Sequence, residues 1–269
     1  MGGFHKFSWS MSLEKDGYAV LRNKVSVSLV DPVRKTLESV IETLGNPQLL
    51  ILTDSVWELI ESLPKPADTF VPSGDITVFY RSKDKDHVGF QGFHRDMPNA
   101  NESSFLDGDV PGSYVAWVPL NSATLHGSSC LQVYPKDKWY YLPGHHFDPP
   151  KGDAPVTIEA EPGDVVYIGH KVLHSGTPCV GHPRMTLAVV FVDVRIPKLV
   201  PRFCTNCREE RTLLMAALGL YYRRSLKWSE SDLRLFYQIL LSQEGRKKAL
   251  FDPVFWAKSM EEGRCLMQD

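Results

Sequence analysis

Two histidines, an aspartate and an arginine define the chemistry open to this chain. His94 and Asp96 stand two residues apart, His174 lies far downstream, and Arg184 follows ten residues after it. In a β-strand, residues two apart project to the same side. His94 and Asp96 can therefore aim an imidazole nitrogen and a carboxylate oxygen at one point. A second imidazole, His174, brought in from another strand completes a face of two histidines and one carboxylate. Such a face leaves neighbouring coordination positions open, the arrangement associated with non-haem Fe(II) oxygen chemistry. The open positions allow a bidentate organic co-substrate and O2 to be held together. An arginine fork grips a carboxylate in two-pronged fashion better than a lysine can. Thr186 falls on the same side of its strand as Arg184. The pair is suited to the distal carboxylate of 2-oxoglutarate. Each of these residues alone reads more simply as a core histidine or a surface charge; the set, in this order, carries the metal reading.

These residues need rigid strands beneath them, and the chain supplies them. From residue 75 the sequence turns β-branched and aromatic in short runs broken by Gly, Pro, Asn and Asp. The runs are Asp75 to Arg81, His87 to Asp96, Ser113 to Leu120, Ser129 to Tyr134, Val156 to Ala160, Asp164 to His170 and Arg184 to Val194. Strands at this spacing predict an antiparallel sandwich or barrel. Glu161-Pro-Gly-Asp164 predicts a tight turn, and Ser175-Gly-Thr-Pro178 reads as a turn after His174. Before this region, Gly17 to Arg22 predicts a strand. Val30 to Leu44 predicts a helix, with Asp31-Pro32 as its start, and Asp54 to Leu63 a shorter one. Glu209 to Leu226 and Glu230 to Leu250 have helical spacing. The organisation expected is one catalytic domain over 1–269: a strand and helices over 1–70, a β core over 75–195 and a helical extension over 201–269. Met97 to Gly112 leaves the metal strand directly and is polar, as a lid would be.

Composition narrows the partners. A net charge of −2 gives no general attraction to nucleic acid or anionic membrane. No apolar run reaches the roughly 18 residues of a membrane span. Five cysteines, an odd number at low density, suit reduced thiols and a cytoplasmic setting. Cys204 and Cys207 have zinc-like spacing but no second pair. Among the remaining histidines, His170 lies four residues before His174 and reads as lining the site, with Phe93 and Trp117 as pocket walls. His145 and His146 sit in a Pro-Gly loop and read as solvated, and His87, His126 and His182 have no metal partner at useful spacing.

The sequence also resembles a known family, the phytanoyl-CoA dioxygenase-like oxygenases, from about Gly17 to Asp193. The likeness rests on Gly17-Tyr-Ala-Val-Leu-Arg22, Phe93-His-Arg-Asp-Met97, Trp117-Val-Pro-Leu-Asn-Ser-Ala-Thr124 and Gly127-Ser-Ser-Cys-Leu-Gln-Val-Tyr-Pro135. It continues through Pro162-Gly-Asp-Val-Val-Tyr167 and His174-Ser-Gly-Thr-Pro178 with Arg184. The resemblance implies a mainly β fold with flanking helices around a double-stranded β-helix, the jelly-roll or cupin-like core. It implies that His94, Asp96 and His174 bind Fe(II) and that Arg184 binds 2-oxoglutarate. The implied activity is O2-dependent hydroxylation or desaturation of a small organic molecule, with release of succinate and CO2. The chain departs from the family pattern at Lys136-Asp-Lys-Trp139 and at Cys179, both able to reshape the pocket. A cupin-like metal enzyme without 2-oxoglutarate and a non-enzymatic jelly-roll binding module are the competing readings. The first usually relies on three or four histidines; the second does not need an intact triad.

Overall fold

A computed structural model describes residues 8–44, 47–82, 85–86, 92–96, 113–136, 154–193 and 195. The expected lid at Met97 to Gly112, the Cys204/Cys207 pair, both C-terminal helices, His87, His145 and His146 lie outside the described residues.

Among the described residues, nine strands form two antiparallel sheets. The larger has the order β1 (Tyr18–Leu21), β7 (Val165–Gly169), β4 (Ser113–Pro119), β9 (Arg184–Asp193), β2 (Phe70–Ser82) and β3 (Lys85–Asp86). The smaller has the order β6 (Val156–Ile158), β5 (Leu131–Val133) and β8 (His174–Gly176). His94 extends the smaller sheet beyond β8 through an isolated antiparallel bridge to His174. Followed along the chain, β2 and β3 lie in the large sheet, His94 in the small, β4 in the large, β5 and β6 in the small, β7 in the large, β8 in the small and β9 in the large. That alternation is the double-stranded β-helix, and the fold is a jelly-roll core with flanking helices.

Strands β1, β4 and β7 of the large sheet sort their side chains between two cores, as the two-residue period requires. Met185, Leu187, Val189 and Phe191 of β9 pack with Tyr114, Ala116 and Val118 of β4 and Val165 and Tyr167 of β7 against the helical layer. The opposite face looks into the jelly roll, where Trp117, Val166 and Ile168 meet Leu131, Val133 and Ile158 of the small sheet.

The helical layer consists of α1 (Ser8–Asp16), α2 (Val27–Leu44), a 3-10 turn (Pro47–Leu52) and α3 (Asp54–Ser62). In α2, Val30, Val33, Leu37 and Val40 recur at helical spacing and are fully buried. The helix starts three residues before the expected point. Ser26 caps it: its hydroxyl accepts from the Ser28 N–H at 3.3 Å and its carbonyl from Leu29 at 2.9 Å. Asp31 is therefore an internal residue, and Pro32 is carried inside the helix. Among the described residues, no helix is long and apolar enough to cross a membrane.

Ser175 and Gly176 correct a second expectation. They lie in β8, paired with Gln132 and Leu131, because β5 offers a backbone edge that outweighs the turn propensity of Ser-Gly.

Candidate metal centre

The two histidines face each other across one pair of chains. The His94 N–H donates to the His174 carbonyl and the His174 N–H to the His94 carbonyl, both at 2.9 Å. This reciprocal pairing sets the two residues directly opposite, and their rings lie 4.5 Å apart between centroids. Each ring is then pinned by the same local device. His94 Nδ1 lies 2.9 Å from the Gly92 carbonyl, and His174 Nδ1 lies 3.0 Å from the Val172 carbonyl. A carbonyl oxygen only accepts, so each Nδ1 carries the proton and each Nε2 presents a lone pair.

Asp96 closes the set. Its Oδ1 lies 3.7 Å from His94 Nε2 and its Oδ2 lies 3.6 Å from His174 Nε2. Two bonds of about 2.1 Å to one ion span such separations. Among the described residues, these three form a group of ligand atoms all within 4.8 Å of one another. His174 is buried while Asp96 is exposed, so the site opens on the Asp96 side.

Arg184 and Thr186 point into the same interior, since the residues between and beyond them belong to the helix-facing core. Arg184 is 4% exposed. Its Nη1 donates to Ser129 Oγ at 3.1 Å, and its guanidinium carbon stands 5.8 Å from the centre of the Phe79 ring. Thr186 is fully buried, and its Oγ1 has no hydrogen-bond partner among the described residues. Gly176 brings this pair toward the metal ligands. It sits two residues after His174 on the same side of β8, and a Cβ placed on it would lie 2.2 Å from Arg184 Nη1. The guanidinium thus lies against the strand that carries His174, with Nη1 nearest.

This donor set fits the groups the sequence suggested. Two neutral imidazole nitrogens and a carboxylate match an Fe(II) face with open positions. A buried guanidinium beside a hydroxyl without a partner among the described residues matches a carboxylate, which the guanidinium can grip and to which the hydroxyl can donate.

The predicted pocket residues fall in different places. Phe93 is partly buried, with its ring 5.1 Å from that of Tyr134 in an edge-on contact. Trp117 is buried in the packing between the sheets. His170 is buried at the end of β7, its Nδ1 2.7 Å from Ser113 Oγ and 3.0 Å from the Ser113 carbonyl. Burial pushes its imidazole below the ordinary range, and the hydrogen bond to the Ser113 carbonyl, with a smaller pull from the Asp96 carboxylate, brings it back only in part. His126 and His182 are exposed.

Three residues of the site escaped the sequence reading. Ser129 takes a left-handed backbone at φ 80°, which is uncommon for a residue with a Cβ. Its hydroxyl donates to the Thr177 carbonyl while accepting from Arg184. Arg81 is buried directly opposite Arg184 on β2, adding a second guanidinium to that end of the interior. Gly176 carried a usable signal, since a glycine in a strand often marks close approach of another group.

No family model matches the chain, and no curated protein matches it in sequence. Similar solved structures include the non-heme α-ketoglutarate-dependent epimerase SnoN from nogalamycin biosynthesis, at 17% identity over 69% of this chain and 79% of that one, TM-score 0.48. The carbocyclase SnoK from the same biosynthesis is 14% identical over 69% and 83%, TM-score 0.48. The nickel complex of the non-heme monooxygenase ThoJ is 12% identical over 81% and 97%, TM-score 0.49.

Proposed function

We propose that this protein is an Fe(II)- and 2-oxoglutarate-dependent dioxygenase of the phytanoyl-CoA dioxygenase-like type. It hydroxylates or desaturates an unactivated C–H bond of a small organic molecule and releases succinate and CO2. The observation that carries this reading is the convergence of His94, Asp96 and His174 within one interior that also holds the buried Arg184 and the orphaned Thr186 hydroxyl.

His94, Asp96 and His174 would hold the iron, and Arg184 with Thr186 the distal carboxylate of 2-oxoglutarate. When bound, the iron supplies activation of O2 coupled to decarboxylation of the co-substrate. The residues of the chain contribute orientation. The Gly92 and Val172 carbonyls fix the two imidazoles in the tautomer that presents Nε2. Burial of Arg184 and Thr186 keeps water from competing for the co-substrate carboxylate. Phe93 and His170 would line the cavity for a small molecule, while Trp117 belongs to the packing between the sheets behind it.

The test is an anaerobic titration of the full chain with Fe(II) and 2-oxoglutarate, following the visible charge-transfer band of the chelate, with succinate release under air as a second readout. His94→Ala, Asp96→Ala and His174→Ala should each reduce succinate formation to the uncatalysed background with unchanged circular dichroism. Wild-type succinate formation by Asp96→Ala would remove the assignment. A metal enzyme that does not use 2-oxoglutarate would bind Fe(II) and give no band.

A further inference from the structure

Register places two polar stations at opposite ends of the interior. Arg184 opens β9 and lies against Gly176, whereas Ser113 pairs with Val192 near the far end of the same strand. His170 follows Gly169, the partner of Tyr114, and so stands beside Ser113 at that far end. Along the chain His174 lies between the two stations, four residues after His170 and two before Gly176. A short reversal, closed by the Val172 N–H donating to the Gly169 carbonyl at 2.8 Å, joins His170 to His174.

The chemistry at His170 is set by what its ring already touches. The Ser113 carbonyl, 3.0 Å from Nδ1, only accepts, so Nδ1 carries the proton. The ring is 93% buried, which favours the neutral form. Nε2 is then a bare acceptor, buried and without a hydrogen-bond partner among the described residues. A ring held by two contacts on one nitrogen and none on the other is oriented to receive a donor.

We propose that His170 Nε2 accepts a hydrogen bond from the substrate, and that the substrate therefore carries a hydroxyl or N–H group, seated on the opposite side of the metal from Arg184. This deepens the oxygenase reading above and rests on it for the identity of the bound molecule as substrate. His170 is a specificity-determining residue here, and Ser113 positions it.

The experiment uses the full-length chain and matched pairs of small probes that differ only in the donor: cyclohexanol against methoxycyclohexane, and phenol against anisole. Nitrogen NMR of histidine-labelled protein reads tautomer and binding together. His170 should show a protonated Nδ1 and a bare Nε2. The alcohols should shift the Nε2 resonance and bind about ten-fold tighter than the ethers, the equivalent of one hydrogen bond. His170→Phe should abolish that discrimination, and His170→Gln, which retains an acceptor, should restore part of it. The formation of the Fe(II)–2-oxoglutarate band is measured separately, so its failure would overturn the oxygenase reading without touching the probe result. A proton on Nε2, equal binding of alcohols and ethers, absence of alcohol binding, or full discrimination in His170→Phe would each overturn the proposal. If His170→Phe fails to fold, the tautomer and the probe pairs in the natural protein still decide.

Discussion

Gly176 is retained at its position by a guanidinium rather than by a turn. The atoms that a new Cβ would meet are Nη1, Cζ and Nη2 of Arg184, at 2.2, 3.1 and 3.3 Å. These form the far end of a long side chain, which can swing aside at small cost to the fold. Swinging aside, however, takes the fork off the line it shares with Thr186. Gly176→Ala should therefore change stability by less than about 1 kcal/mol while weakening 2-oxoglutarate binding by roughly ten-fold or more, the loss of one charge-assisted bond. Chemical denaturation and a 2-oxoglutarate titration of the chelate band separate the two effects. A variant that loses stability but keeps co-substrate affinity would show that Gly176 serves strand packing instead.

At the scale of elements, the bend before β7 is tied to the end of β1 by one carboxylate. Asp164 accepts from the Glu161 N–H at 3.0 Å, the Asn23 N–H at 2.9 Å and the Arg22 guanidinium at 2.7 Å. Gly163, at φ 102°, turns its carbonyl onto the Lys24 and Val25 N–H groups at 2.8 and 3.0 Å. Burial raises the Asp164 carboxyl, but the two backbone donors and Arg22 outweigh it, and the net shift is downward. A carboxyl lowered in the folded state contributes stability that is complete above its unfolded value of about 3.9 and is lost as pH falls through the lower folded value. The natural protein should thus lose stability as pH falls below about 4 more steeply than Asp164→Asn, which is less stable at neutral pH and flatter in acid. Urea midpoints across that range check the sign. Parallel curves would mean that the ionised carboxylate does not hold the junction. Arg22 is exposed over half its side chain, so most of the effect belongs to the two backbone donors.

Over the whole molecule, the large sheet separates two interiors of different character, an apolar one under the helices and a polar-lined one inside the jelly roll. Most of this was legible in the sequence. The β-branched runs marked β2, β4, β5, β6, β7 and β9, most plainly β4 and β7, which are buried on both faces and have little freedom to vary their type. The meeting of His94, Asp96 and His174 was legible because a metal demands particular atoms at particular spacing. β8 was not, since Ser-Gly has strand geometry only when β5 lies beside it. The early start of α2 was missed because Asp31-Pro32 imitates a cap while Ser26 provides the real one. Arg81 and Ser129 were hidden for a different reason. Their roles depend on cross-strand neighbours, Arg184 across from Arg81 and Thr177 near Ser129, and no local pattern encodes those.

The left-handed backbone of Ser129 has a consequence for anyone who would engineer this protein for heat resistance. A side chain at φ 80° holds the backbone in a conformation costing about 1–2 kcal/mol, and glycine would release it. Ser129→Gly and Ser129→Ala both delete the hydroxyl that Arg184 uses, so both should bind 2-oxoglutarate equally poorly. Only the alanine keeps the strain, and the glycine variant should be the more stable of the two by about 1 kcal/mol, the reverse of their usual order inside a protein. Thermal melting of the pair reads this directly, and an alanine variant as stable as the glycine would mean the conformation is unstrained. A search that scored melting temperature alone would favour glycine over alanine here, although both leave Arg184 without its hydroxyl.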